Sequence, residues 1–330
     1  MHVVIRAPAK LNLFLEILRR RDDGYHEIDT VMLPINCYDT LVIRPIVSAG
    51  ESPGIQIATH WWPSRQHWQD SLGGAETADE LLSIPSDHRN LIHRAITATA
   101  VLTNCAWGFD VQVRKRIPAG AGMGGASSDA AAAIRATAAL TGVEATDARL
   151  WEIAAQIGSD VPFFFGDRTG KTRSTAMRAT GRGERLAPVT STAKLRFIVV
   201  YPATSLSTAL VYRDCTVPPN PHSAEPTLNA LLEGGVVKIG TSMHNRLSEP
   251  ATKISAMVSN LLEQMWRCGL PRCQLTGSGS ACFSILDNDS DEIALANRLR
   301  AALNTSRLYA HIITAHTTSI PQPHKLSRDV

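Results

Sequence analysis

The sequence predicts an α+β fold in two domains, and three features of the pattern indicate it. The first is a series of extended segments in residues 3–46, where apolar and polar side chains alternate. The second is a glycine-rich loop between a strand and an alanine-rich helix. The third is a mixture of strands and helices in residues 191–318, which is typical of helices packed on an antiparallel sheet.

The opening of the chain is predicted as a set of antiparallel strands, over residues 3–17, 28–35 and 40–46. In the first of them, apolar side chains occupy one face, and Asn12 and Glu16 lie on the other. The pair Asp23 and Gly24 is a strong turn signal, so we predict a hairpin between the first two strands.

Residues 51–88 differ in composition from the segments on either side. They are rich in Ser, Gly, Pro, Asp and Glu and carry three of the six tryptophans. We interpret them as an insertion, formed by a strand pair with a long, elaborated loop. His60 and His67 are predicted to be surface histidines, because no cluster of further ligands accompanies them.

The remaining elements follow from periodicity and from turn residues. In the first half we predict helices over 90–104 and 147–157, a strand over 109–113, and a hairpin over 175–190. In the second half we predict helices over 226–234, 251–267 and 291–303, and strands over 195–201, 272–276, 281–286 and 308–315. A loop-like composition near residue 190 separates the predicted domains, 1–190 and 191–318, and residues 319–330 are expected to form a loose tail.

The glycine-rich loop is the strongest chemical signal in the sequence. Its four glycines allow positive φ angles and a close approach of backbone N–H groups to an anion: they are Gly120, Gly122, Gly124 and Gly125. Ser127, Ser128 and Asp129 are good N-cap types, and residues 130–140 have high helix propensity. A helix that begins in this way favours a phosphate group at its N-terminus. Four glycines and two serine hydroxyls are more than an ordinary tight turn requires, so we favour the phosphate interpretation.

Two familiar phosphate loops fit the sequence less well. Residues 166–172 approach a Walker A pattern, but they are one residue short and no convincing helix follows. Gly120, Gly122 and Gly125 match the dinucleotide spacing nominally, but no acidic residue ends a strand about 20 positions later.

Composition argues against several classes of function. The net charge of +3 is small for 330 residues, and the basic run at 114–116 is interpreted as a solvated strand end, so we expect no nucleic-acid partner. No apolar run approaches the roughly 20 residues of a membrane span, and no signal peptide is recognisable. Six scattered cysteines indicate free thiols, so we expect a cytoplasmic protein without a membrane partner.

Three separate motifs resemble those of the GHMP kinases, which include galactokinase, homoserine kinase and mevalonate kinase. Pro-Ala-Lys-Leu-Asn-Leu at 8–13 is similar to the first motif. The loop at 118–128 is similar to the second, with Met123 at the position of a leucine. Leu-Thr-Gly-Ser-Gly-Ser-Ala-Cys at 275–282 is similar to the third. The motifs occur in the family's order and extend over most of the chain.

The resemblance implies a fold and a cofactor. The N-terminal domain would be ribosomal-protein-S5-like and the C-terminal domain a ferredoxin-like α/β sandwich, with the active site in the cleft between them. ATP and Mg²⁺ are the implied cofactors, and Ser127 or Ser128 is a candidate magnesium ligand. The residues expected to hold the nucleotide are Pro118, Ala119, Gly120, Ala121, Gly122, Met123, Gly124, Gly125, Ala126, Ser127 and Ser128.

Two further runs resemble one branch of this family. They are Asp-Asp-Gly-Tyr-His-Glu at 22–27 and Gly-Ser-Asp-Val-Pro-Phe-Phe at 158–164. This branch phosphorylates the 2-hydroxyl of 4-diphosphocytidyl-2-C-methyl-D-erythritol in the non-mevalonate route to isoprenoid precursors. Ala126 and Ser159 depart from the branch, which usually has glycine and alanine there. The acceptor would be a small molecule, a cytidine diphosphate-linked polyol, and the enzyme a monomer or homodimer.

The resemblance also assigns the catalytic pair. Asp160 corresponds to the base that orients and deprotonates the acceptor hydroxyl, and Lys10 to its cationic partner. Taken alone, Asp160 could be a loop residue that caps backbone N–H groups, and Lys10 a solvated strand lysine. Their presence in two separate motifs favours the catalytic interpretation.

Substrate-binding roles follow from the same resemblance. Tyr25 would stack on cytosine and His26 would hydrogen-bond its edge, with Tyr212 as a second aromatic. Asn12 from the first motif is included in the acceptor site. Gly277 and Gly279 would let the third motif approach the substrate diphosphate. The alternative for Tyr212 is a half-buried structural tyrosine. The alternative for the two glycines is a plain β-turn.

Other functions remain as alternatives. One is a GHMP kinase for another small molecule, of the homoserine or mevalonate type, but Tyr25 and His26 favour a nucleotide-linked acceptor. A catalytically dead ligand-binding relative conflicts with the presence of both Lys10 and Asp160. An RNA-binding module on the S5-like fold conflicts with the small net charge. For adenine, Asn90 is a candidate contact.

Overall fold

The computed structural model describes residues 1–47, 54–166, 176–191 and 193–326. In chain order the elements are β1 (His2–Arg20), β2 (His26–Ile46), β3 (Ile55–Trp61), α1 (Arg65–Ser71), α2 (Ala75–Leu81), α3 (Leu91–Leu102), β4 (Gly108–Lys115), α4 (Gly125–Thr141), α5 (Ala148–Ile157), a 3₁₀ turn (Pro162–Phe165), β5 (Ala176–Gly181), β6 (Arg185–Val189), β7 (Arg196–Pro202), α6 (Thr208–Arg213), α7 (Glu225–Glu233), α8 (Val236–Ser242), β8 (His244–Asn245), α9 (Ser248–Ile254), α10 (Ala256–Arg267), β9 (Cys273–Leu275), β10 (Cys282–Leu286), α11 (Glu292–Thr305), β11 (Ala310–His316) and β12 (His324–Leu326).

The first sheet is built on the long antiparallel pair β1 and β2. Its strands run in the order β12-β1-β2-β4-β3, with β5 attached to β2, β6 attached to β5, and β8 attached to β1. The pair extends from Val3 opposite Ile43 to Arg20 opposite His26, and the predicted hairpin turn joins the two strands. The two separate strands predicted over 28–35 and 40–46 are one continuous strand, β2.

The second sheet is antiparallel, in the order β11-β7-β10-β9, and α10 and α11 pack on it. The α+β class is therefore confirmed. The four strands and the hairpin predicted for residues 175–316 are present. The helix predicted over 251–267 is two helices, because Ser255 is extended and its Oγ accepts the Val258 N–H at the start of α10. None of the helices within the ranges given above is long and apolar enough to cross a membrane.

The 51–88 insertion differs from the strand pair and loop predicted for it. It contributes one strand, β3, which lies parallel to β4, followed by the helices α1 and α2. The Ser64 side chain accepts the His67 N–H and so caps α1. His60 and His67 are exposed, as predicted.

Trp68 explains why the insertion folds as it does. Its side chain is fully buried, and its ring lies 5.5 Å from that of Trp61. It also lies 6.4 Å from the ring of Tyr201 in β7 and 4.2 Å from that of His311 in β11. The insertion therefore packs against the second sheet, a tertiary contact that local sequence does not reveal.

The end of the chain also differs from the loose tail expected there. His324–Leu326 forms β12, which pairs with residues 2–4 of β1. The proposed domain boundary near residue 190 falls between β6 of the first sheet and β7 of the second, but β8 and β12 return to the first sheet. Most of the Walker-like run at 166–172 lies outside the described residues.

Helix α4 lies under the first sheet and is buried along nearly its whole length. Six of its thirteen buried residues are alanines, which allow a helix to approach a sheet closely because their side chains project little beyond the backbone. Its contacts are with β1, β2, α3 and α5. This packing fixes the position of the glycine-rich loop, which leads directly into the helix.

Candidate active site

Backbone hydrogen bonds bring the three motifs together. The N–H of Lys10 in β1 donates to the carbonyl of Met123 in the glycine loop, at 2.9 Å. The N–H groups of Ser280 and Ala281, in the third motif, donate to the carbonyls of Gly120 and Ala121, at 3.3 and 3.2 Å. The loop is therefore held between a strand of the first sheet and the turn that precedes β10 of the second.

Two glycines allow this close approach. Gly122 has a φ of +72°, and a Cβ atom there would lie 2.1 Å from the carbonyl oxygen of Thr276. Gly277 has a φ of +57°, and its Cβ would lie 3.1 Å from the Nζ atom of Lys10. A side chain at either position would therefore be strained as well as crowded.

Helix α4 begins earlier than the N-cap residue types indicated. Gly124 is its N-cap, with a φ of +72°, and no side chain caps the first turn. Ser127, Ser128 and Asp129 lie inside that turn instead, because the left-handed glycine makes the sharp entry on its own. The N–H groups at the start of α4 are thus left available to bind an anion, which is the kind of site that the glycine-rich loop predicted.

A cavity of about 260 Å³ opens beside the loop. One wall consists of the loop and the start of α4, and the other includes Ser83, Pro85 and Asn90. Asn90 caps α3 by accepting the Ile92 N–H at 2.9 Å, and its Nδ2 donates to the Pro85 carbonyl at 2.7 Å. Sequence analysis placed Asn90 near this site, and the structure puts it in the cavity wall.

A buried charge network lies beneath the loop, and the sequence did not predict it. Lys115, interpreted above as part of a solvated strand end, is only 3% exposed. Its Nζ contacts Asp39 and lies 2.6 Å from Asp129 Oδ2. Burial alone would lower the pKa of Lys115, but the two carboxylates raise it. Burial raises the pKa of Asp129 to about 8, although Lys115 opposes that shift.

Lys10 is buried at the centre of the site, so it is not the solvated lysine considered as an alternative. Its Nζ donates to Asn12 Oδ1 at 2.5 Å and lies 4.0 Å from Asp160 Oδ2. Burial lowers the pKa of Lys10, and the charge of Asp160 partly opposes this. Asp160 follows the end of α5 and its side chain is 36% exposed, so the carboxylate remains accessible from the cleft.

Asn12 connects Lys10 to the rest of the site. It is 2% exposed, and its Nδ2 donates to Thr30 Oγ1 at 2.9 Å. The Thr276 hydroxyl donates to Asn12 Oδ1 at 3.2 Å. The geometry therefore favours Asn12 as a support for Lys10 rather than as an open contact surface.

Asn245 is a second supporting amide, and sequence reasoning missed it. Its Nδ2 donates to the carbonyls of Leu275 and Gly277, at 2.9 and 2.8 Å, and so holds the third motif. No sequence signal marks it, because a single asparagine between two helices has no characteristic pattern.

Two of the predicted acceptor residues form an aromatic pair near Asp160. The rings of His26 and Tyr212 are 5.3 Å apart and inclined at 44°. Burial and the nearby charge of Asp160 raise the pKa of Tyr212, whereas burial and Arg20 lower that of His26. The predicted aromatics are therefore brought together, but it is His26, not Tyr25, that contacts Tyr212.

Tyr25 lies at the exposed edge of this group. It is 57% exposed, and the guanidinium carbon of Arg182 lies 4.9 Å from the centre of its ring. Arg182 is in the turn between β5 and β6, and a Cβ at the adjacent Gly183 would lie 3.8 Å from Asp160 Oδ1. A cation–π contact thus orders an exposed aromatic close to Asp160.

Comparison with known proteins gives the family. Residues 90–167 match the GHMP kinases N terminal domain. The chain is 42% identical over 301 residues to the 4-diphosphocytidyl-2-C-methyl-D-erythritol kinase of Rhodopirellula baltica, with 89% of this chain and 90% of the relative covered. It is 32% identical to the protein of the same name from a Geobacillus species, with 91% and 93% covered.

A solved structure agrees with these relatives. The crystal structure of a 4-(cytidine 5'-diphospho)-2C-methyl-D-erythritol kinase is 29% identical in sequence and superposes with a TM-score of 0.70. The similarity covers 96% of this chain and 100% of the other, so it extends over both sheets and the site between them.

The contact between the loop and the third motif can be tested with two glycine variants. Gly122→Ala should lower the free energy of unfolding by about 2 kcal/mol or more, because the new methyl group meets the Thr276 carbonyl. Gly142→Ala is a matched control: its φ is +80°, but nothing lies within 4 Å, so only backbone strain of about 1 kcal/mol is expected. Urea unfolding and measurements of ATP affinity should both distinguish the two variants. If Gly122→Ala and Gly142→Ala lost equal amounts of stability and of ATP affinity, the proposed close contact would be wrong.

Proposed function

The chain belongs to the family of 4-diphosphocytidyl-2-C-methyl-D-erythritol kinases, within the GHMP kinases, and we propose that it catalyses the reaction for which that family is named. ATP would phosphorylate the 2-hydroxyl of 4-diphosphocytidyl-2-C-methyl-D-erythritol, giving the 2-phosphate and ADP. The observation that carries the proposal is the meeting of Lys10, Asp160 and the glycine loop at one place between the sheets.

The nucleotide would occupy the cavity beside the loop. Phosphoryl transfer depends mostly on the positioning of phosphates and on charge stabilisation. The uncapped start of α4 supplies N–H groups and the positive end of a helix dipole, and the glycines of the loop let the backbone approach the phosphates. The cavity wall around Asn90 would then face the adenosine moiety.

The start of α4 also fits a magnesium ion. Ser127 lines the cavity, and both Ser128 Oγ and Asp129 Oδ1 are buried without a hydrogen-bond partner in the described part of the chain. Mg²⁺ prefers oxygen ligands and is usually shared with substrate phosphates. Ser127 or Ser128 would hold it, and the ion would supply neutralisation of phosphate charge.

Lys10 and Asp160 would act on the acceptor hydroxyl. The 4.0 Å between Nζ and Oδ2 allows one oxygen atom to lie within hydrogen-bond reach of both groups. Asp160 would orient the hydroxyl and accept its proton, and Lys10 would stabilise the negative charge that develops during transfer. Asn12 would keep the ammonium group of Lys10 directed toward this position.

The cytidyl end of the acceptor would bind beyond Asp160. His26 and Tyr212 form an aromatic wall, and Tyr25, ordered by Arg182, offers a further ring face for cytosine. We include a reducing, cytoplasmic setting in the proposal, which the free state of all six cysteines supports.

Release of ADP by the purified protein tests the acceptor. We expect turnover with 4-diphosphocytidyl-2-C-methyl-D-erythritol and none above background with methylerythritol phosphate, mevalonate or homoserine, because only the first carries the base that the aromatic residues would recognise. Turnover confined to mevalonate or homoserine would overturn the proposal.

The role of Asp160 can be separated from nucleotide binding. Asp160→Asn keeps the size of the side chain but removes the base, so kcat should fall by about 10²- to 10⁴-fold. The Kd for ATP should stay within about twofold of the wild-type value, since the loop and the start of α4, not Asp160, supply the proposed contacts to the nucleotide. Single-turnover kinetics and calorimetry measure the two quantities, and near-normal kcat would show that Asp160 is not the base.

The stacking role of Tyr25 makes a different prediction. Tyr25→Ala should raise KM for the cytidyl substrate by roughly 5- to 100-fold, because stacking of a base on an aromatic ring contributes about 1–3 kcal/mol. KM for ATP should not change. Tyr25→Phe retains the ring and serves as the control, so it should behave nearly as wild type. If the alanine variant kept the wild-type KM, Tyr25 would have no part in binding cytosine.

A further inference from the structure

A second cluster of functional groups lies outside the catalytic cleft. It consists of Glu16 in β1, His244 in β8 and His222 in the loop between α6 and α7. One ligand atom from each of the three residues lies within 4.8 Å of the others. Glu16 is buried, His244 is half-buried and His222 is exposed, so the cluster is anchored in the fold but can be reached from solvent.

The distance between two of the donor atoms suits a small tetrahedral cation, and the third donor lies close to both. His244 Nε2 lies 3.3 Å from Glu16 Oε2, and the rings of His222 and His244 are 4.4 Å apart. Two ligands bound to zinc at about 2.0–2.1 Å in tetrahedral geometry are about 3.3–3.4 Å apart. His244 Nε2 is also buried, and although it faces Glu16 Oε2, the two atoms do not meet the geometry of a good hydrogen bond, so both remain usable by an ion placed between them.

Arg246 limits the affinity that can be expected. Its Nε and Nη2 donate to the two oxygens of Glu16, each at 2.7 Å. These bonds fix the carboxylate in orientation, as outer hydrogen bonds commonly do around metal ligands. They also place a positive charge beside any cation, which would have to share Oε2 with Arg246 and with the His222 N–H. Micromolar binding is therefore expected, not the much tighter binding of a structural zinc site.

We propose that Glu16, His222 and His244 form a site for a zinc ion. Two imidazoles and one carboxylate are a common zinc ligand set, whereas Mg²⁺ and Ca²⁺ prefer oxygen ligands only. The ion would tie the loop that carries His222 to β1 and β8, and so would connect two segments of the second half to the first sheet. Because none of the three residues belongs to the proposed catalytic machinery, the site does not depend on the proposed function.

Zinc binding to the full-length protein tests this site. The protein is first freed of metal and kept reduced with a non-chelating reductant, and Zn²⁺ is then titrated against a chromophoric chelator. We expect one ion per chain with a Kd on the order of micromolar, and a rise in Tm of a few degrees at saturation. His222→Ala and His244→Gln should each weaken binding at least tenfold and remove the rise in Tm.

His67 provides a matched control, because it makes an edge-to-face contact with a second histidine, His311, with 5.3 Å between ring centres, in a pair that is not part of the three-ligand cluster. His67→Ala should bind zinc as wild type does. His222 is exposed, so its alanine variant should fold even if changes at His244 disturb β8.

Three results would overturn the proposal. The first is no binding below about 1 mM Zn²⁺. The second is binding that neither His222→Ala nor His244→Gln weakens. The third comes from Co²⁺ as a spectroscopic substitute: a strong thiolate-to-cobalt charge-transfer band would show that the cysteines, not this cluster, hold the metal.

Discussion

The buried ammonium group of Lys10 is the interaction on which the rest of the site depends. A charge removed from water is costly unless polar partners surround it, and here Asn12 accepts its hydrogen bond while Asp160 supplies the opposite charge. The glycine at 277 leaves room beside Nζ for the third motif. The first and third motifs are therefore fitted to the same cation, and the glycine loop joins them through its hydrogen bond from the Lys10 N–H.

The same arrangement couples the two sheets. The glycine loop belongs to the first sheet through α4, but its carbonyls at 120 and 121 accept N–H groups from the turn that leads into β10 of the second sheet. A shift between the sheets would therefore move the loop and the Lys10–Asp160 pair together. In the proposed reaction, a single set of contacts would therefore align the ATP phosphates with the acceptor hydroxyl. Holding two reacting groups in such a fixed geometry is one of the ways in which an enzyme lowers the barrier to reaction.

Local signals in the sequence predicted much of the fold and several of the residues that the structure brings together, because strands, turns and motifs depend on residues close together in the chain. Contacts at long range were missed. The helices of the insertion depend on the packing of Trp68 against Tyr201 and His311, and the burial of Lys115 depends on Asp39, 76 residues away. The early start of α4 was missed for another reason: a left-handed glycine at 124 replaced the side-chain cap that the serines indicated.

Buried polar atoms without partners indicate ligand sites only when a second feature accompanies them. Within the described ranges, Trp68 Nε1 is such an atom, but its neighbours include the rings of Trp61 and Tyr201, and Trp68 does not line the cavity beside the loop. Ser128 Oγ and Asp129 Oδ1 are different, because they lie at the start of a helix that borders a cavity. His244 Nε2 is different again, because a carboxylate and a second imidazole converge on it. Among the described residues, two of the places where buried polar groups lack partners are therefore those at which we propose that a cation binds.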